Sequence, residues 1–374
     1  MRVLLTGGGT GGHVYPALAV AEALRRDPEA AQRLELLYMG SRDGMEVGIV
    51  GKAGLPFRGI SAGALRGRSP SRLLAGLGRT VVGTAQAWRD LGEYPADAVL
   101  ATGGYVCVPV VLAAWLRRVP TLLYLPDVEP GLAVRALARL AARVAVTSAE
   151  SKRFLPPRKV VETGYPVRPE LWSVDRSQAR RRLGVPADAT VLLVFGGSRG
   201  ARALNEAVAA ALPRLLELAH VVHVCGGEDE ARARARLDEL HPPLVERYRL
   251  HAYLHTEEMA AALTSADLAV SRAGASVLGE YPAVGLPSVL VPYPFAGAHQ
   301  RLNAELLARE GASVLLENSD VQAGSLLPTL EALLGDRERL RRMSAAARRL
   351  ARPRAAEAIA QELRGLVIGR GTRQ

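Results

Sequence analysis

The sequence is poor in cysteine and in aromatic residues, and each shortage excludes a class of protein. Its 374 residues include two cysteines, Cys107 and Cys225, far apart in segments predicted to be interior. Neither a disulfide framework nor a metal-binding spacing follows from them, and a reducing cytoplasm is the expected compartment. Aromatic residues make up 5% of the chain. The common nucleic-acid-binding modules combine aromatic and basic motifs that are missing here, so we expect no nucleic-acid partner.

Long hydrophobic runs are also scarce. The stretch 98–116 carries no charge and approaches the length of a membrane-spanning helix. It contains Thr102, Gly103, Gly104 and Pro109, so we expect a buried strand, a loop and a helix there rather than one spanning helix. The apolar run at the N-terminus ends in glycines within a few residues, which predicts that no secretory signal is present.

Lysine and negative charge are the remaining shortages. The formal net charge is +11, and only three of the 48 basic residues are lysines, so arginine is the main cation. A net positive charge of this size indicates either an anionic partner or a general bias in amino-acid composition. A GC-rich genome and adaptation to high temperature account for it as well as an anionic partner does.

Glycine, by contrast, is plentiful and follows predicted strands. Residues 3–5 are typical of a buried parallel strand, residues 6–12 are mostly glycine, and residues 14–24 have helical apolar spacing, with Pro16 tolerated in a first turn. Glycines let the backbone approach a ligand closely, and a helix N-terminus favours an anion. We therefore predict a site for a nucleotide or nucleotide-sugar phosphate, with His13 as a titratable group beside it.

An alternative ligand for this loop is a nicotinamide dinucleotide. Gly7, Gly9 and Gly12 satisfy the G-x-G-x-x-G pattern. That pattern also needs an acidic residue at the end of the second strand, and here Asp43 and Glu46 lie beyond that end. The sequence therefore favours a nucleotide sugar, and a nicotinamide oxidoreductase is kept as the alternative.

The second half of the chain begins with the same pattern. Residues 191–195 are strand-like, 196–201 form a glycine loop and 204–218 have helical spacing. The chain is also longer than one core usually allows. We therefore predict an α/β protein of two Rossmann-like domains facing across a cleft, with ligands at the carboxyl ends of the strands. The expected bounds are 1–165, 166–345, and 346–374 as a C-terminal helix packing back toward the N-terminal domain. Further strands are expected at 34–39, 57–60, 97–101, 121–125, 143–147, 221–225, 250–253, 268–270 and 286–292.

A helix predicted after Pro70 has two interpretations. Apolar residues from Leu73 to Trp88 alternate with a fringe of arginines that includes Arg79 and Arg89. An ordinary amphipathic helix packed on a sheet has this composition. So does a surface that rests on anionic lipid, with its apolar side chains in the membrane and its arginines on the headgroups.

Several motifs together resemble the MurG glycosyltransferase family. They are residues 6–21, 102–105, 164–168, 196–201, 271–280, and His299, Gln300 and Asn303. The resemblance covers nearly the whole chain and implies a GT-B fold. It implies transfer of N-acetylglucosamine from UDP-GlcNAc to undecaprenyl-diphospho-N-acetylmuramoyl-pentapeptide (lipid I), giving lipid II for peptidoglycan. It further implies a peripheral protein at the cytoplasmic face of the bacterial inner membrane, with residues 73–88 as the surface that contacts anionic lipid.

The resemblance also implies roles for individual residues. The acceptor is expected on the N-terminal domain and UDP-GlcNAc on the C-terminal domain. Leu254 is expected beside the uracil and Gln300 at the GlcNAc hydroxyls. A solvated helix glutamate is the alternative for Glu280. The remaining donor-binding positions are Thr10, Gly11, Gly12, Asp127, Arg168, Ser198, Ala275, Ser276, Val277, Leu278, Gly279 and Glu280.

The chain departs from the family at one motif. Where the family commonly has His-Glu-Gln-Asn, this chain has Tyr124-Leu-Pro-Asp127, so Asp127 stands at the asparagine position. A carboxylate accepts hydrogen bonds and can act as a base, but it cannot donate as an amide does. A related UDP-sugar glycosyltransferase with a different lipid acceptor is therefore the alternative function.

The expected mechanism is an in-line attack of the acceptor hydroxyl on the anomeric carbon, with inversion. Arg168, Ser198 and helix N-termini are expected to stabilise the charge of the departing UDP. His13 is the candidate base, and Asp127 competes for that role. The sequence contains no Asp-x-Asp arrangement suited to a metal-bound diphosphate, so we expect no metal and no cofactor beyond the donor substrate.

Overall fold

The computed structural model describes residues 1–27, 33–63, 70–197, 201–237, 240–294 and 299–371, and it describes the backbone alone at 70–73 and 370–371. Contacts divide the chain into two units. The first unit comprises Met1–Arg168 and Arg352–Gln374, and the second comprises Pro169–Ala351. These boundaries lie a few residues beyond those drawn from the sequence.

The first unit is built on a parallel sheet of seven strands in the order β3-β2-β1-β4-β5-β6-β7. Leu4 of β1 pairs with Leu37 of β2 on one side and with Val99 of β4 on the other, so the strand order reverses direction at β1. In open parallel sheets, ligands bind at the carboxyl ends of the strands where this reversal occurs. The strands are β1 Arg2–Thr6, β2 Glu35–Ser41, β3 Phe57–Ile60, β4 Ala98–Ala101, β5 Thr121–Leu125, β6 Arg143–Val146 and β7 Val160–Glu162.

Helices cover both faces of this sheet. Successive strand residues point to opposite faces, so Leu5 packs with Ile359 of the last helix while Leu4 packs with Val110 on the other face. The α-helices of the unit are α1 Gly11–Arg26, α2 Glu46–Lys52, α3 Pro70–Glu93, α4 Cys107–Leu116, α5 Leu132–Leu140 and, from the end of the chain, α17 Ala355–Gly371, and its 3-10 helices are Ala149–Phe154 and Pro157–Lys159. Helix α1 begins earlier than expected, so Pro16 lies inside it rather than in its first turn.

The second unit has a parallel sheet of six strands in the order β10-β9-β8-β11-β12-β13, the same relative order as in the first unit. The predicted α/β class with two Rossmann-like domains is therefore confirmed. Its strands are β8 Val191–Phe195, β9 His220–Val224, β10 Tyr248–His251, β11 Leu268–Ser271, β12 Ser288–Leu290 and β13 Ser313–Leu315. Its α-helices are α6 Glu170–Ser173, α7 Arg176–Arg182, α8 Arg202–Leu218, α9 Glu230–Ala235, α10 Pro242–Val245, α11 Thr256–Ser265, α12 Glu280–Val284, α13 His299–Arg309, α14 Asn318–Gln322, α15 Leu326–Leu334 and α16 Arg337–Arg349, with a 3-10 helix at Ala275–Leu278.

Two outer strands, β7 and β13, are absent from the sequence-based prediction. Each has three residues and pairs with a single neighbour, β6 or β12. A run of three residues is too short to show strand periodicity, and its conformation depends on the neighbouring strand. The prediction for residues 98–116 is confirmed, because they form β4, a loop and α4. Among the residues that the structure describes, none of the helices combines the length and the apolarity needed to cross a bilayer.

Candidate active site

The loops that follow β1 and β4 are hydrogen-bonded to each other at the point where the strand order reverses. The N–H of Gly8 donates to the carbonyl of Gly103 at 3.3 Å. The Thr102 hydroxyl lies 2.6 Å from the carbonyl of His13, to which it donates, and its side chain is buried. Gly104 has a φ of +84°, and a Cβ there would overlap the Gly8 carbonyl. The two loops therefore form one framework that only small residues allow.

His13 is held by this framework in a defined tautomer. Its Nδ1 lies 3.1 Å from the Gly8 carbonyl oxygen and 3.2 Å from the Thr10 hydroxyl. A carbonyl oxygen only accepts, so Nδ1 carries the hydrogen and Nε2 has the free lone pair. A Cβ on Gly103 would lie 2.7 Å from the ring carbon Cδ2, so the glycine makes room for the imidazole.

Burial has the largest effect on His13 and lowers its pKa below the ordinary value. The Asp127 carboxylate, the hydrogen bond to Gly8 and the Glu46 carboxylate oppose that effect in this order of size. Asp127 lies two residues beyond β5. The structure therefore brings the predicted residues Thr10, His13 and Asp127 together at one edge of the first sheet, and Gly11 and Gly12 form the first residues of α1 there.

Arg168, the last residue of the continuous part of the first unit, lies over an aromatic ring. Its guanidinium carbon is 4.4 Å from the centroid of the Tyr15 ring. A cation held over an aromatic face in this way keeps one orientation. Tyr15 did not enter the sequence-based site. The sequence feature that could have identified Tyr15 is its position two residues after His13 in α1.

Glu46 also does not occupy the ribose-binding position that a dinucleotide-binding pattern gives to an acidic residue after the second strand. It is 0% exposed and accepts hydrogen bonds from the N–H groups of Ser41 at 2.9 Å and Gly9 at 3.3 Å. A carboxylate buried on these partners does not reach a ribose at the end of β2.

In the second unit, the predicted donor-binding positions cluster after β11. Ala275–Leu278 is a 3-10 helix, and the side chains of Val277 and Leu278 are buried, so these two residues offer a ligand only their backbone. Glu280 is the first residue of α12 and is 6% exposed. The alternative of a solvated helix glutamate is therefore wrong, because packing removes this side chain from solvent.

Hydrogen bonds fix the loops around these positions. Arg272 donates to the carbonyls of Val291 and Pro292 and, at 2.9 Å, to the side-chain oxygen of Asn318. Asn303 donates to the carbonyl of Ala273 at 3.0 Å. The sequence motif that contained these residues gave no sign that Arg272 and Asn303 support the loop rather than project from it.

Two further residues predicted to bind the donor are Gln300 and Leu254, which lie in other parts of the second unit. Gln300 is the second residue of α13, and its Oε1 accepts the N–H of Tyr293 at 2.9 Å. Leu254 is buried in the turn between β10 and α11. Ser198 lies outside the described residues, so its predicted contact with the nucleotide sugar stays a prediction.

Most of the large apolar side chains of α3 face solvent. Leu74 is 68% exposed and Val81 is 70% exposed, and Leu77, Val82 and Trp88 are exposed as well. The packed face of α3 consists mostly of smaller groups, with Leu91 as a large residue buried there. A Cβ on Gly83 would overlap the Ser61 carbonyl, which shows how closely this face approaches the sheet. Helix α3 does pack against the sheet through Ala87 and Leu91, as an ordinary amphipathic helix would, but its other large apolar residues lie on the outside.

Two residues at the end of α4 extend this apolar surface, Trp115 and Leu116, both exposed. The Arg117 guanidinium lies 4.0 Å from the centroid of the Trp88 ring, which joins the two helices. We call the set Leu74, Leu77, Val81, Val82, Trp88, Trp115 and Leu116 the apolar patch. Leu73 is described by its backbone alone. Exposed apolar sets of this kind mark interaction surfaces.

Within the described ranges, no three acidic, histidine or cysteine side chains form a cluster that could hold a metal ion.

Comparison with known proteins gives consistent results for both units. Residues 3–146 match the Glycosyltransferase family 28 N-terminal domain, and residues 191–361 match the Glycosyltransferase family 28 C-terminal domain. Over its full length the chain is 44% identical to the UDP-N-acetylglucosamine--N-acetylmuramyl-(pentapeptide) pyrophosphoryl-undecaprenol N-acetylglucosamine transferase of Roseiflexus sp. (strain RS-1), covering 96% of it. It is also 44% identical to the protein of the same name from Desulforudis audaxviator (strain MP104C), with full coverage of both chains, 100% and 100%. Among solved structures it is similar to Acinetobacter baumannii MurG, with a TM-score of 0.72, 30% identity and coverage of 97% of this chain and 99% of that one.

Proposed function

The chain belongs to glycosyltransferase family 28, among the MurG enzymes, and we propose that the geometry of its first unit serves that family's reaction. It is a UDP-GlcNAc-dependent transferase that moves N-acetylglucosamine to lipid I and forms lipid II. The observation that carries this function is the 44% identity over the full chain to enzymes so named. The different acceptor considered for Asp127 is not favoured by these relatives.

In the proposed chemistry, His13 is the base. The acceptor hydroxyl oxygen forms a bond with the anomeric carbon as the bond from that carbon to the UDP oxygen breaks. The hydroxyl proton passes to Nε2 of His13. This assignment is supported by the hydrogen bond from Nδ1 to Gly8, which leaves Nε2 as an acceptor, and by the burial that lowers the pKa of His13.

Asp127 has a supporting role in this proposal. Its carboxylate acts on His13 electrostatically and stabilises the imidazolium that forms when the proton arrives. Asp127 also accepts a hydrogen bond from a sugar hydroxyl, which an asparagine oxygen at this position also does.

The departing UDP is assigned to the second unit and to Arg168. The backbone N–H groups of Ala275 and Ser276 lie at the start of the 3-10 helix, and the buried Glu280 lies at the start of α12. We assign diphosphate to the former and ribose hydroxyls to the latter. Leu254 is assigned to the uracil and Gln300 to the GlcNAc hydroxyls. Thr10, Gly11 and Gly12 approach the donor from the first loop.

The apolar patch is assigned to a membrane surface. A lipid acceptor carries a polyprenyl chain, so an enzyme acting on it works at a bilayer. Apolar side chains that insert into the acyl boundary and arginines that contact anionic headgroups are the two elements of peripheral binding. The patch supplies the first, and Arg79 and Arg89 of α3 supply the second. We place the enzyme at the cytoplasmic face of the inner membrane.

The test is transfer of labelled GlcNAc from UDP-GlcNAc to a short-chain lipid I analogue. The assay is run with a chelator present and with UDP-glucose and UDP-galactose as competing donors. We expect the disaccharide lipid to form from UDP-GlcNAc and the chelator to leave its rate unchanged. Binding of UDP-GlcNAc without transfer would instead mean that this enzyme acts on another lipid.

A further inference from the structure

Glu46 is a buried carboxylate with main-chain partners. It is 0% exposed, and within the described ranges it forms no ion pair. Its Oε1 accepts the N–H of Ser41 and its Oε2 accepts the N–H of Gly9. Burying a carboxylate costs free energy that two hydrogen bonds only partly offset. A role in the site explains why the chain keeps it there.

The surroundings are shaped around this carboxylate. A Cβ on Gly8 or on Gly44 would overlap the carboxylate group, and a Cβ on Gly40 would lie 2.8 Å from its Cγ. Three glycines from three different segments therefore leave the space that Glu46 fills. Any side chain at Gly8 or Gly44 would force the carboxylate away from the loop.

One peptide group connects Glu46 to His13. The Gly8–Gly9 peptide donates through the N–H of Gly9 to Glu46, at 3.3 Å, and accepts through the carbonyl of Gly8 from Nδ1 of His13, at 3.1 Å. A negative charge at the N–H end of a peptide group polarises the group and makes its carbonyl oxygen a stronger acceptor. The hydrogen-bonded chain therefore runs from carboxylate to peptide to imidazole.

We propose that Glu46 is a positioning residue that acts through the Gly8–Gly9 peptide to hold His13 as its Nδ1–H tautomer, with Nε2 available to the acceptor hydroxyl. The contribution to catalysis rests on the proposed role of His13 as the base. In Ser-His-Asp triads a carboxylate accepts a hydrogen bond directly from the histidine and orients it. Here a main-chain amide stands between the two groups.

Four titratable groups lie near the loops that hold His13, and two of them are carboxylates. Asp127 from the segment after β5 and Glu46 from α2 both raise the pKa of His13. Cys107 of α4 donates to the Gly103 carbonyl, and burial raises its pKa to about 12, so it is a neutral thiol. Tyr38 of β2 donates to the Gly7 carbonyl, and burial raises its pKa far above neutrality. Glu46 and Asp127 are therefore the two carboxylates whose effects on the pKa of His13 have to be separated by experiment.

The first experiment reads the tautomer in the unaltered protein. Nitrogen-15 NMR of the histidine side chains, with His13 assigned by its loss in His13→Gln, distinguishes a protonated Nδ1 from a protonated Nε2. We expect the neutral ring to carry its hydrogen on Nδ1. An Nε2–H ring would overturn the proposal, and this measurement needs no substitution at Glu46.

The second experiment compares Glu46→Gln with Glu22→Gln, since Glu22 is a half-buried glutamate of α1 that pairs with Arg26. Glutamine keeps the shape of the side chain but removes its charge and one of its two acceptor oxygens. We expect the pKa of His13 to fall by about half a unit to one unit in Glu46→Gln, and turnover to fall about 10- to 100-fold, as with other residues that orient a reacting ligand. The acidic limb of the pH profile of kcat/KM should move to lower pH by the same amount, and Glu22→Gln should change neither quantity.

The outcomes separate this proposal from the role of His13. A uniform loss of activity in Glu46→Gln, with the pH limb and the pKa of His13 unmoved, would mean that Glu46 only stabilises the fold, and would overturn the proposal. If the NMR results are as expected but His13→Gln keeps its activity, the hydrogen-bonded chain exists and the base assignment is wrong. The affinity for UDP alone, which is assigned to the second unit and to Arg168, should not change in Glu46→Gln.

Discussion

Thr102 donates its hydroxyl hydrogen to the main-chain carbonyl of His13 at 2.6 Å. This bond connects the loop after β4 to the first turn of α1, at the residue whose side chain is the proposed base. Because the Thr102 side chain is buried, water does not replace the hydroxyl when it is removed.

Thr102→Val should therefore destabilise the protein and misplace the imidazole. We expect the free energy of unfolding to fall by about 1–3 kcal/mol, the cost of an unpaired buried acceptor. We expect turnover to fall about tenfold or more, since small misplacements of a reacting group are costly. Chemical denaturation and the transfer assay measure the two effects. Thr102→Ser keeps the hydroxyl and should retain most of the stability and most of the turnover. Equal losses in Thr102→Val and Thr102→Ser would contradict the role of the hydrogen bond.

The proposed base predicts a pH dependence of a definite sign. Burial lowers the pKa of His13 below its ordinary value of about 6.5, and the reaction needs the neutral ring. The rate should therefore be constant above neutrality and should fall as the pH drops through the lowered pKa. The pH profile of kcat/KM for the acceptor measures this limb.

His13→Gln should remove the acidic limb of the pH profile. It should also lower turnover about 100-fold or more, the usual contribution of a general base. His241→Gln is the matched control, since His241 is exposed and lies before α10 in the second unit. A loss smaller than tenfold in His13→Gln would exclude His13 as the base.

Asp127→Asn places the family's asparagine at this position and tests which group takes the proton. We expect turnover within about threefold of the original enzyme, because an amide oxygen still accepts a hydrogen bond. The acidic limb should move to lower pH, since removing this carboxylate lowers the pKa of His13. The exposed Asp43→Asn is the control. A loss of about 100-fold in Asp127→Asn, with His13→Gln still active, would make Asp127 the base.

The apolar patch predicts a defect that depends on the membrane. Leu74→Glu combined with Val81→Glu should weaken binding to vesicles that contain anionic lipid by at least about tenfold, because each charge opposes insertion of an exposed apolar side chain. Turnover of a short-chain, water-soluble acceptor should not change. Ile368→Glu alters an exposed apolar residue of α17 outside the patch and should bind vesicles normally. Equal vesicle binding by the double variant, by Ile368→Glu and by the unaltered enzyme would contradict the assignment of the patch to a membrane surface.

Strands bounded by glycine, proline or charged residues could be predicted from the sequence almost to the residue. Thr121–Leu125 and Val191–Phe195 have the bounds that the apolar runs indicated. Such runs are buried on both faces, so composition alone identifies them. Outer strands such as β13 are determined by the neighbouring strand instead.

The arrangement of the candidate site could be predicted only in part. The glycine motif identified His13 because the residue lies next to it in the sequence. The place of Glu46 depends on a hydrogen bond to Gly9 across 37 positions, and no local pattern contains that information. The outward face of α3 depends likewise on the close approach of Gly83 to Ser61, since helical periodicity shows that two faces exist but not which one is packed.

Helix α17 has a consequence for the order in which the protein matures during synthesis. Its Ile359 and Leu363 close the core that Leu5 and Leu100 begin, yet the whole second unit is translated between them. The second unit can complete its core on the ribosome while the first still exposes the part of one sheet face and of α1 that α17 later covers. The first unit to be translated is therefore the last to finish folding. Ribosome-bound chains that end at residue 351 should bind chaperones through that uncovered face.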